Sequence, residues 1–410
     1  MHHSPTNGKS KGFGFHFALH LRQFPQSQTL SVPFMKTDLT LYDRTLTLFR
    51  YPKRNNETLQ AWDAGDEYLI QHVEEMGLPQ GQHIVVLNDN FGALSCWLSD
   101  KHHVTMVSDS FIVQQATQTN LADNDCNPVS FATSLEAIPA NVDLVIMQIP
   151  RNNRYLTWQL AQLRKTLPSH VPVIAVNKAK EIHSSTLKLF EKYLGETKTS
   201  LAWKKHRLVL SQANSPQAIE VEPFTVWSVD EHNMTLKNHA NVYSGESLDQ
   251  GARFILQNLP TGDTYKHAID LGCGNGVLSV KLAQLNPKLN ITSVDESFMA
   301  VESAKQNLLD NVGNSERFHC IANNCLDGMP AASYDLVVCN PPFHQQQAVT
   351  DHIAWQMFCD AKHVLSTGGQ LLVIGNRHLG YDIKLKRLFG QSNVSVVSVN
   401  KKFVILQATK

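Results

Sequence analysis

The stretch "VSDSFIVQQATQTNLADN", Val107–Asn124, lies without a gap over "VDESFMAVESAKQNLLDN", Val294–Asn311. In both, a β-rich run ends in a polar cluster, and apolar residues then recur at helical spacing, as in Phe111–Leu121 and Phe298–Leu309. Upstream, "VVLNDNFGALS" (Val85–Ser95) matches "AIDLGCGNGVLS" (Ala268–Ser279) in its apolar frame. Downstream, "VDLVIMQIPRN" (Val142–Asn152) matches "YDLVVCNPPFH" (Tyr334–His344), and "VPVIAVNK" (Val171–Lys178) answers "QLLVIGNR" (Gln370–Arg377). Four pairs in one order indicate a duplicated domain. Each copy alternates short apolar runs with amphipathic helical stretches, which predicts an α/β fold twice over, a parallel sheet with helices on both faces.

A chain of 410 residues is too long for one ordinary domain. The polar, proline-punctuated "SQANSPQAIEVEP" (Ser211–Pro223) reads as the linker, so the domains are expected over residues 35–210 and 224–410. Residues 1–34, rich in His, Ser, Gln and Gly, are expected to lie outside the fold as a disordered or non-native extension.

Formal net charge is zero, but residues 51–150 carry 3 Lys/Arg against 13 Asp/Glu and residues 151–207 carry 12 against 3. Such an imbalance marks either a solvated face or an electrostatic footprint. The seven cysteines form no C-x-x-C pair, and the histidines lack metal-ligand spacing; reduced thiols in a cytoplasmic protein without a metal are expected. No apolar run approaches the roughly 20 residues that span a bilayer. "GFGFHFALHLRQF" (Gly12–Phe24) is interrupted by His16, His20 and Arg22, and no small-residue cleavage site follows, which argues against a signal peptide.

The second copy carries the chemistry. "AIDLGCGNG" runs from a strand into Gly272-x-Gly274-x-Gly276, and a helical pattern follows. Glycine is needed where the backbone turns sharply and where a ligand must touch main chain. The next strand ends at Asp295, whose carboxylate can accept hydrogen bonds from both hydroxyls of a ribose. A lone glycine loop is a weak signal; strand, loop, helix, strand and acid in sequence make a strong one. Val277 occupies the third glycine's place of a dinucleotide fingerprint.

Two strands on, an apolar run ends in Asn340-Pro341-Pro342-Phe343. An exocyclic base amine is a poor nucleophile because its lone pair is delocalised into the ring. The Asn340 side-chain carbonyl and the Pro341 main-chain carbonyl can accept its N–H bonds and favour a pyramidal nitrogen, so catalysis is mainly positioning and electrostatics. Two prolines fix φ and leave no competing N–H. Phe343 offers a face on which an extruded base can stack.

The shorter G-x-G-x-G preceded by Asp270 resembles motif I of class I S-adenosylmethionine-dependent methyltransferases. The tetrapeptide at Asn340 resembles the N-P-P-[FYW] motif of enzymes that methylate amino groups of adenine, guanine or glutamine. Together with "HANVYS" (His239–Ser244), "VDES" and the tandem arrangement, these motifs resemble the bacterial rRNA guanine-N2 methyltransferases with two class I (Rossmann-like) domains. Within that family, "LQAWDAGDEYL" (Leu59–Leu69), "LAWKKHRL" (Leu201–Leu208) and "FHQQQAVTDHIAWQMF" (Phe343–Phe358) look most like members acting on large-subunit (23S) rRNA. The resemblance covers nearly everything from Met35 to Lys410; Tyr243 departs from it, standing where a Phe is usual. It implies S-adenosylmethionine as cofactor, with Asp270 facing its methionine end, Asp295 its ribose and Asn324 its adenine edge, although the adjacent Asn323 is an alternative. It also implies the target base, since the chemistry read from the residues fits any exocyclic amine.

In the first copy Asn88, Asp89 and Asn90 replace Gly272, Cys273 and Gly274, and Ser108 stands where Asp295 is expected. Gln148-Ile149-Pro150-Arg151 replaces the Asn340 tetrapeptide. This domain is expected to bind no cofactor. Its Lys178, Lys180, Lys204, Lys205 and Arg207 gather near two predicted strand ends, and the resemblance implies that a degenerate domain helps to hold RNA; the alternative is a purely structural domain. Competing readings are a small-subunit (16S) rRNA guanine-N2 enzyme, an adenine-N6 methyltransferase, and a non-catalytic RNA-binding assembly factor. Intact Asp270, Asp295 and Asn340 weigh against the last. The RNA substrate is expected to be naked or protein-poor.

Overall fold

The computed structural model describes residues 36–54, 57–214, 219–314, 316–342 and 347–410, without the side chains of residues 347–351. The expectation for residues 1–34 falls outside that range.

The first domain opens on a hairpin, β1 (Asp38–Leu41) and β2 (Arg44–Thr47). It continues through α1 (Ala64–Glu75), β3 (His83–Leu87), α2 (Ala93–Leu98), β4 (His103–Ser108), α3 (Phe111–Asp123) and β5 (Ser130–Thr133). Then come β6 (Leu144–Gln148), α4 (Asn153–Thr166), β7 (Pro172–Lys178), α5 (Ser184–Tyr193), β8 (Thr197–Thr199) and β9 (His206–Gln212). The second domain repeats the plan: hairpin β10 (Phe224–Val229) and β11 (Met234–His239), then α6 (Gln250–Leu256), β12 (His267–Leu271), α7 (Val277–Leu285) and β13 (Asn290–Asp295). It proceeds through α8 (Phe298–Val312), β14 (Phe318–Ala322), β15 (Tyr334–Cys339), α9 (Gln347–Val364), β16 (Leu365–Asn376), α10 (Tyr381–Phe389), β17 (Val394–Val399) and β18 (Phe403–Thr409).

The two seven-stranded sheets have the same order, β5-β4-β3-β6-β7-β9-β8 and β14-β13-β12-β15-β16-β18-β17. The first five strands of each are parallel; β9 and β18 enter antiparallel. Strand order reverses beside β3 and β12, and in open α/β sheets ligands lie outside the carboxyl ends of the strands at such a switch point. Ile84–Leu87 and Leu336–Cys339 are buried throughout, as strands covered on both faces must be.

The repeated asparagines of α3 and α8 tie each hairpin segment to the helix. Asn120 Oδ1 accepts from Phe49 N at 3.0 Å while its Nδ2 donates to Phe49 O at 2.8 Å, and Asn124 pairs Thr47 in the same way. In the second domain Asn307 pairs Lys237 and Asn311 pairs Thr235. Each side-chain amide satisfies one backbone N–H and one C=O that would otherwise be orphaned.

Strand β9 continues through Gln212, two residues past the expected boundary. Ser211 and Gln212 are polar but pair with β7, and Ser211 also with β8; Ala213 is buried behind them. Ile219 and Val221, within the expected linker, pack on the first domain's core.

The copies meet through the duplicated segment itself. Phe111 N donates to Glu296 O at 2.8 Å and Phe298 N donates to Asp109 O at 3.0 Å. Beside this reciprocal pair, Tyr155 and Trp158 of α4 pack on Ala240, Val242, Met299 and Ala300. Asn152 Nδ2 donates to Ala240 O, and Arg154 donates to the carbonyls of Asn238 and His239.

Candidate active site

At the switch point of the second sheet Leu271 pairs with Cys339, so Gly272 and Asn340 leave neighbouring strand ends together. Gly272, Gly274 and Gly276 all have left-handed φ, at 73°, 53° and 76°. Their roles differ. A Cβ on Gly276 would lie 2.7 Å from Ala304 Cβ, so this glycine lets α7 cross α8 closely. A Cβ on Gly274 would meet nothing within 4 Å, which leaves that backbone approachable by a ligand.

The loop is held from behind. The amides of Gly272 and Cys273 donate to Val294 O, and Gly274 N donates to Asp295 Oδ2 at 2.9 Å. Asn275 Nδ2 donates to Asn238 Oδ1 at 2.9 Å, and Asn275 O accepts from Asn307 Nδ2 at 2.8 Å. The sequence does not single out Asn238, Asn275 or Asn307; the match of Asn120 with Asn307 within the repeat is a signal that could have drawn notice to the last of them.

Asp270 is fully buried. Its Oδ2 accepts from Ser279 N at 3.0 Å and Ser279 Oγ at 2.6 Å, whereas Oδ1 has no partner among the described residues. Burial pushes its carboxyl up to about 6, against the bonds from Ser279. Asp295 ends β13, with Oδ1 accepting from Ser297 N at 3.0 Å. Burial raises its carboxyl too, and the amides of Ser297 and Gly274 oppose that shift.

Asn340 Oδ1 is buried and has no partner among the described residues. Pro341 is buried and Pro342 exposed; Phe343 lies outside the described residues. Asn324 is buried with Nδ2 bonded to Asp327 Oδ2, and Asn323 donates to Asp327 O, so Asp327 orders both candidates for the adenine edge. Two orphaned acceptors at adjoining strand ends, an approachable glycine backbone and a carboxylate on the next strand fit a nucleoside cofactor carrying a cationic amino acid. No group of three or more potential metal ligands occurs among the described residues.

The corresponding place in the first sheet is filled by side chains. Asn88, left-handed at φ 60°, donates through Nδ2 to Gln148 O at 2.9 Å and to Gln159 Oε1 at 3.0 Å. Gln148 Nε2 donates to the buried Asp66 at 2.6 Å. Asp89, buried inside the loop, accepts from Gly92 N and Ser95 N, and so takes over at the start of α2 what Asp270 does for Ser279.

The backbone brings the segments that carry the five basic residues to one end of the first sheet. Lys178 pairs with His206 and Asn177 with Arg207 at one end of the first sheet, and Ala179 N donates to Lys205 O. Lys204 is committed to Glu67 at 2.7 Å, and Lys180 lies 3.6 Å from Glu181. Lys178, Lys205 and Arg207 are exposed and make no ion pair among the described residues.

Residues 36–215 match the family described as RLMG N-terminal domain, and residues 233–407 match the Methyltransferase small domain. Curated proteins called Ribosomal RNA large subunit methyltransferase G are 69% identical to this chain in Vibrio campbellii and 65% in Vibrio cholerae. Each similarity covers 92% of this chain and 98% or 100% of the relative. Among solved structures, the T. thermophilus 16S rRNA N2 methyltransferase RsmC, in complex with AdoMet and guanosine, superposes with a TM-score of 0.72. It shares 19% identity, covering 91% of this chain and 97% of that one, and so supports the tandem Rossmann-like fold.

Proposed function

This chain belongs to the family of the ribosomal RNA large subunit methyltransferases G, and on that premise we propose that its second domain methylates the exocyclic N2 amine of a guanine in 23S rRNA. It is an S-adenosylmethionine-dependent enzyme; the cofactor, when bound, supplies an electrophilic methyl group. The observation that carries the choice of an amine is the buried Oδ1 of Asn340, just past the end of β15, which has no partner among the described residues. An acceptor left unsatisfied inside a protein is costly and is kept where a ligand donates to it.

The chain's own residues bind and orient. The orphaned Asp270 Oδ1 takes a donor from the amino-acid end of the cofactor, and Asp295 accepts from the ribose. Asn340 Oδ1 and the Pro341 carbonyl accept the two N–H bonds of the base amine and draw its lone pair out of conjugation. Phe343 stacks the base. These positioned acceptors need no reorganisation during the reaction. The small-subunit alternative draws on a likeness of fold at 19% identity, the large-subunit reading on relatives at 69%.

The first domain binds no cofactor and holds RNA through Lys178, Lys205 and Arg207, with Lys180 and Lys204 at the margin. A duplex guanine presents N2 in the minor groove, away from a recessed strand end, so the base must come from a loop or be extruded. Naked or protein-poor rRNA permits this more readily than an assembled subunit. Mass mapping of modified nucleotides in rRNA from cells with and without the protein tests the reading: loss of one N2-methylguanine from 23S rRNA supports it, and unchanged 23S rRNA refutes it.

A further inference from the structure

Asp109 belongs to the domain without the chemistry, yet three of its four hydrogen-bond donors come from the other domain. Its Oδ2 accepts from Ser297 Oγ at 2.6 Å and Asn241 Nδ2 at 2.7 Å; its Oδ1 accepts from Met299 N at 2.9 Å and Ser134 Oγ at 2.6 Å. The side chain is buried. A buried carboxylate with both oxygens doubly satisfied is a rigid anchor, and removing it leaves several donors unpaired at once.

What it anchors, Ser297, lies two residues past Asp295, the carboxylate read as binding the cofactor's ribose. Ser297 caps α8, accepting from Ala300 N at 3.1 Å, and its own amide donates to Asp295 Oδ1. Asp295 Oδ2 in turn receives Gly274 N. An unbroken line runs from Asp109 through Ser297 and Asp295 to the middle glycine of the loop. The duplication makes the asymmetry plain. Glu296 occupies Asp109's place in the second copy, but among the described residues its carboxylate accepts a single hydrogen bond, from the Ser110 hydroxyl across the interface.

We infer that Asp109 is a positioning residue for the cofactor site of the neighbouring domain: it fixes Ser297 and the first turn of α8, so that Asp295 is held in its binding geometry before the cofactor arrives. The degenerate domain thereby contributes to cofactor affinity as well as to RNA binding. Preorganisation of this kind raises affinity by removing the cost of ordering the site on binding.

The inference rests on the proposed cofactor site at Asp295, and the test separates the two. Full-length wild type, Asp109→Asn, Asp109→Ala and Asp295→Ala are titrated with S-adenosylmethionine by calorimetry. Each is also titrated with rRNA, and amide hydrogen exchange over residues 295–300 is followed in the cofactor-free protein. Asp109→Ala is expected to weaken the cofactor about tenfold and Asp109→Asn about threefold, through lost hydrogen bonds. Exchange at residues 297–300 should accelerate while RNA affinity stays within about twofold; a residue serving only the interface would move no cofactor constant. Cofactor affinity within about twofold of wild type in both Asp109 variants, with Asp295→Ala impaired, overturns this inference alone. Undiminished binding in Asp295→Ala overturns the site reading beneath it. Should Asp109→Ala not fold, Asp109→Asn, which keeps the shape of the side chain but removes its charge and acceptor capacity, decides: weakened cofactor binding with unchanged RNA affinity upholds the proposal and unchanged cofactor binding overturns it.

Discussion

Asn88 Nδ2 stands 2.9 Å from the carbonyl oxygen of Gln148, so side chains of the first sheet bridge the two strand ends that, in the second, carry Gly272 and Asn340. In the first sheet these amides thus occupy the place that the proposed cofactor site takes in the second. Calorimetry with S-adenosylmethionine should give one site per chain. Asp295→Ala should lose about 1–3 kcal/mol of binding through two ribose hydrogen bonds. A stoichiometry of two would contradict the closure of the first sheet.

Asn340→Ala should act on rate. The substitution leaves the glycine loop and the basic surface in place and removes the acceptor that orients the amine. Single-turnover methyl transfer to naked rRNA should slow on the order of 100–1,000-fold, with little change in RNA affinity. Wild-type speed would sink the mechanism. Faster transfer to assembled subunits than to naked rRNA would sink the substrate reading.

Glycines of one loop should respond differently. Gly276→Ala forces a Cβ to 2.7 Å from Ala304 and into a left-handed conformation, so stability should fall by more than the roughly 1–2 kcal/mol that the conformation alone costs. Gly274→Ala meets no neighbour within 4 Å and should lose only that conformational cost, with its larger effect on cofactor binding. Denaturant unfolding and calorimetry on both variants would expose a reversed pattern.

The Asp270 carboxyl is pushed up to about 6 from 3.8. The folded protein thus binds this proton more tightly than the unfolded chain, and the stability it contributes is present at low pH and lost as pH rises through about 6. Compared with Asp270→Asn, wild type should lose on the order of 1–3 kcal/mol between pH 4 and pH 7. Cofactor affinity should rise over the same interval as the carboxylate forms. Parallel stability curves for the two proteins would show that the group does not titrate there.

Charge reversal at Lys205 and Arg207 should weaken RNA binding, make its loss with salt shallower and spare cofactor binding. Lys204 is the poorer target, because reversing it also sets a carboxylate beside Glu67. Filter binding at moderate salt that gave normal affinity would make the cluster solvated surface.

The repeat, its alternation of strands and helices and the Gly272–Gly276 loop could be read from the sequence because they rest on local periodicity and turn chemistry, which a chain states residue by residue. The Asn307 and Asn311 clamps were harder to see: an asparagine in a helix gives no sign of which strand its amide will meet. In the sequence Asp109 is only the residue after Ser108, which stands in the place of Asp295. Nothing in its spacing says that it turns away from its own sheet toward Ser297, since contacts between domains have no signature in either copy alone. The end of β9 was missed for a related reason, Ser211 and Gln212 being polar residues made strand-like by their neighbours.

The Phe111–Glu296 and Phe298–Asp109 bonds exchange into one another when the two copies are swapped, the relation that a twofold axis imposes on a homodimer. A chain that carries both halves of such a contact completes it without a second molecule, at any concentration. Fusion of that kind also releases one half from selection for chemistry: its glycines and its tetrapeptide can drift so long as the shared edge survives. The first domain can thus be understood as a permanently tethered partner, freed to specialise while its twin continues to react.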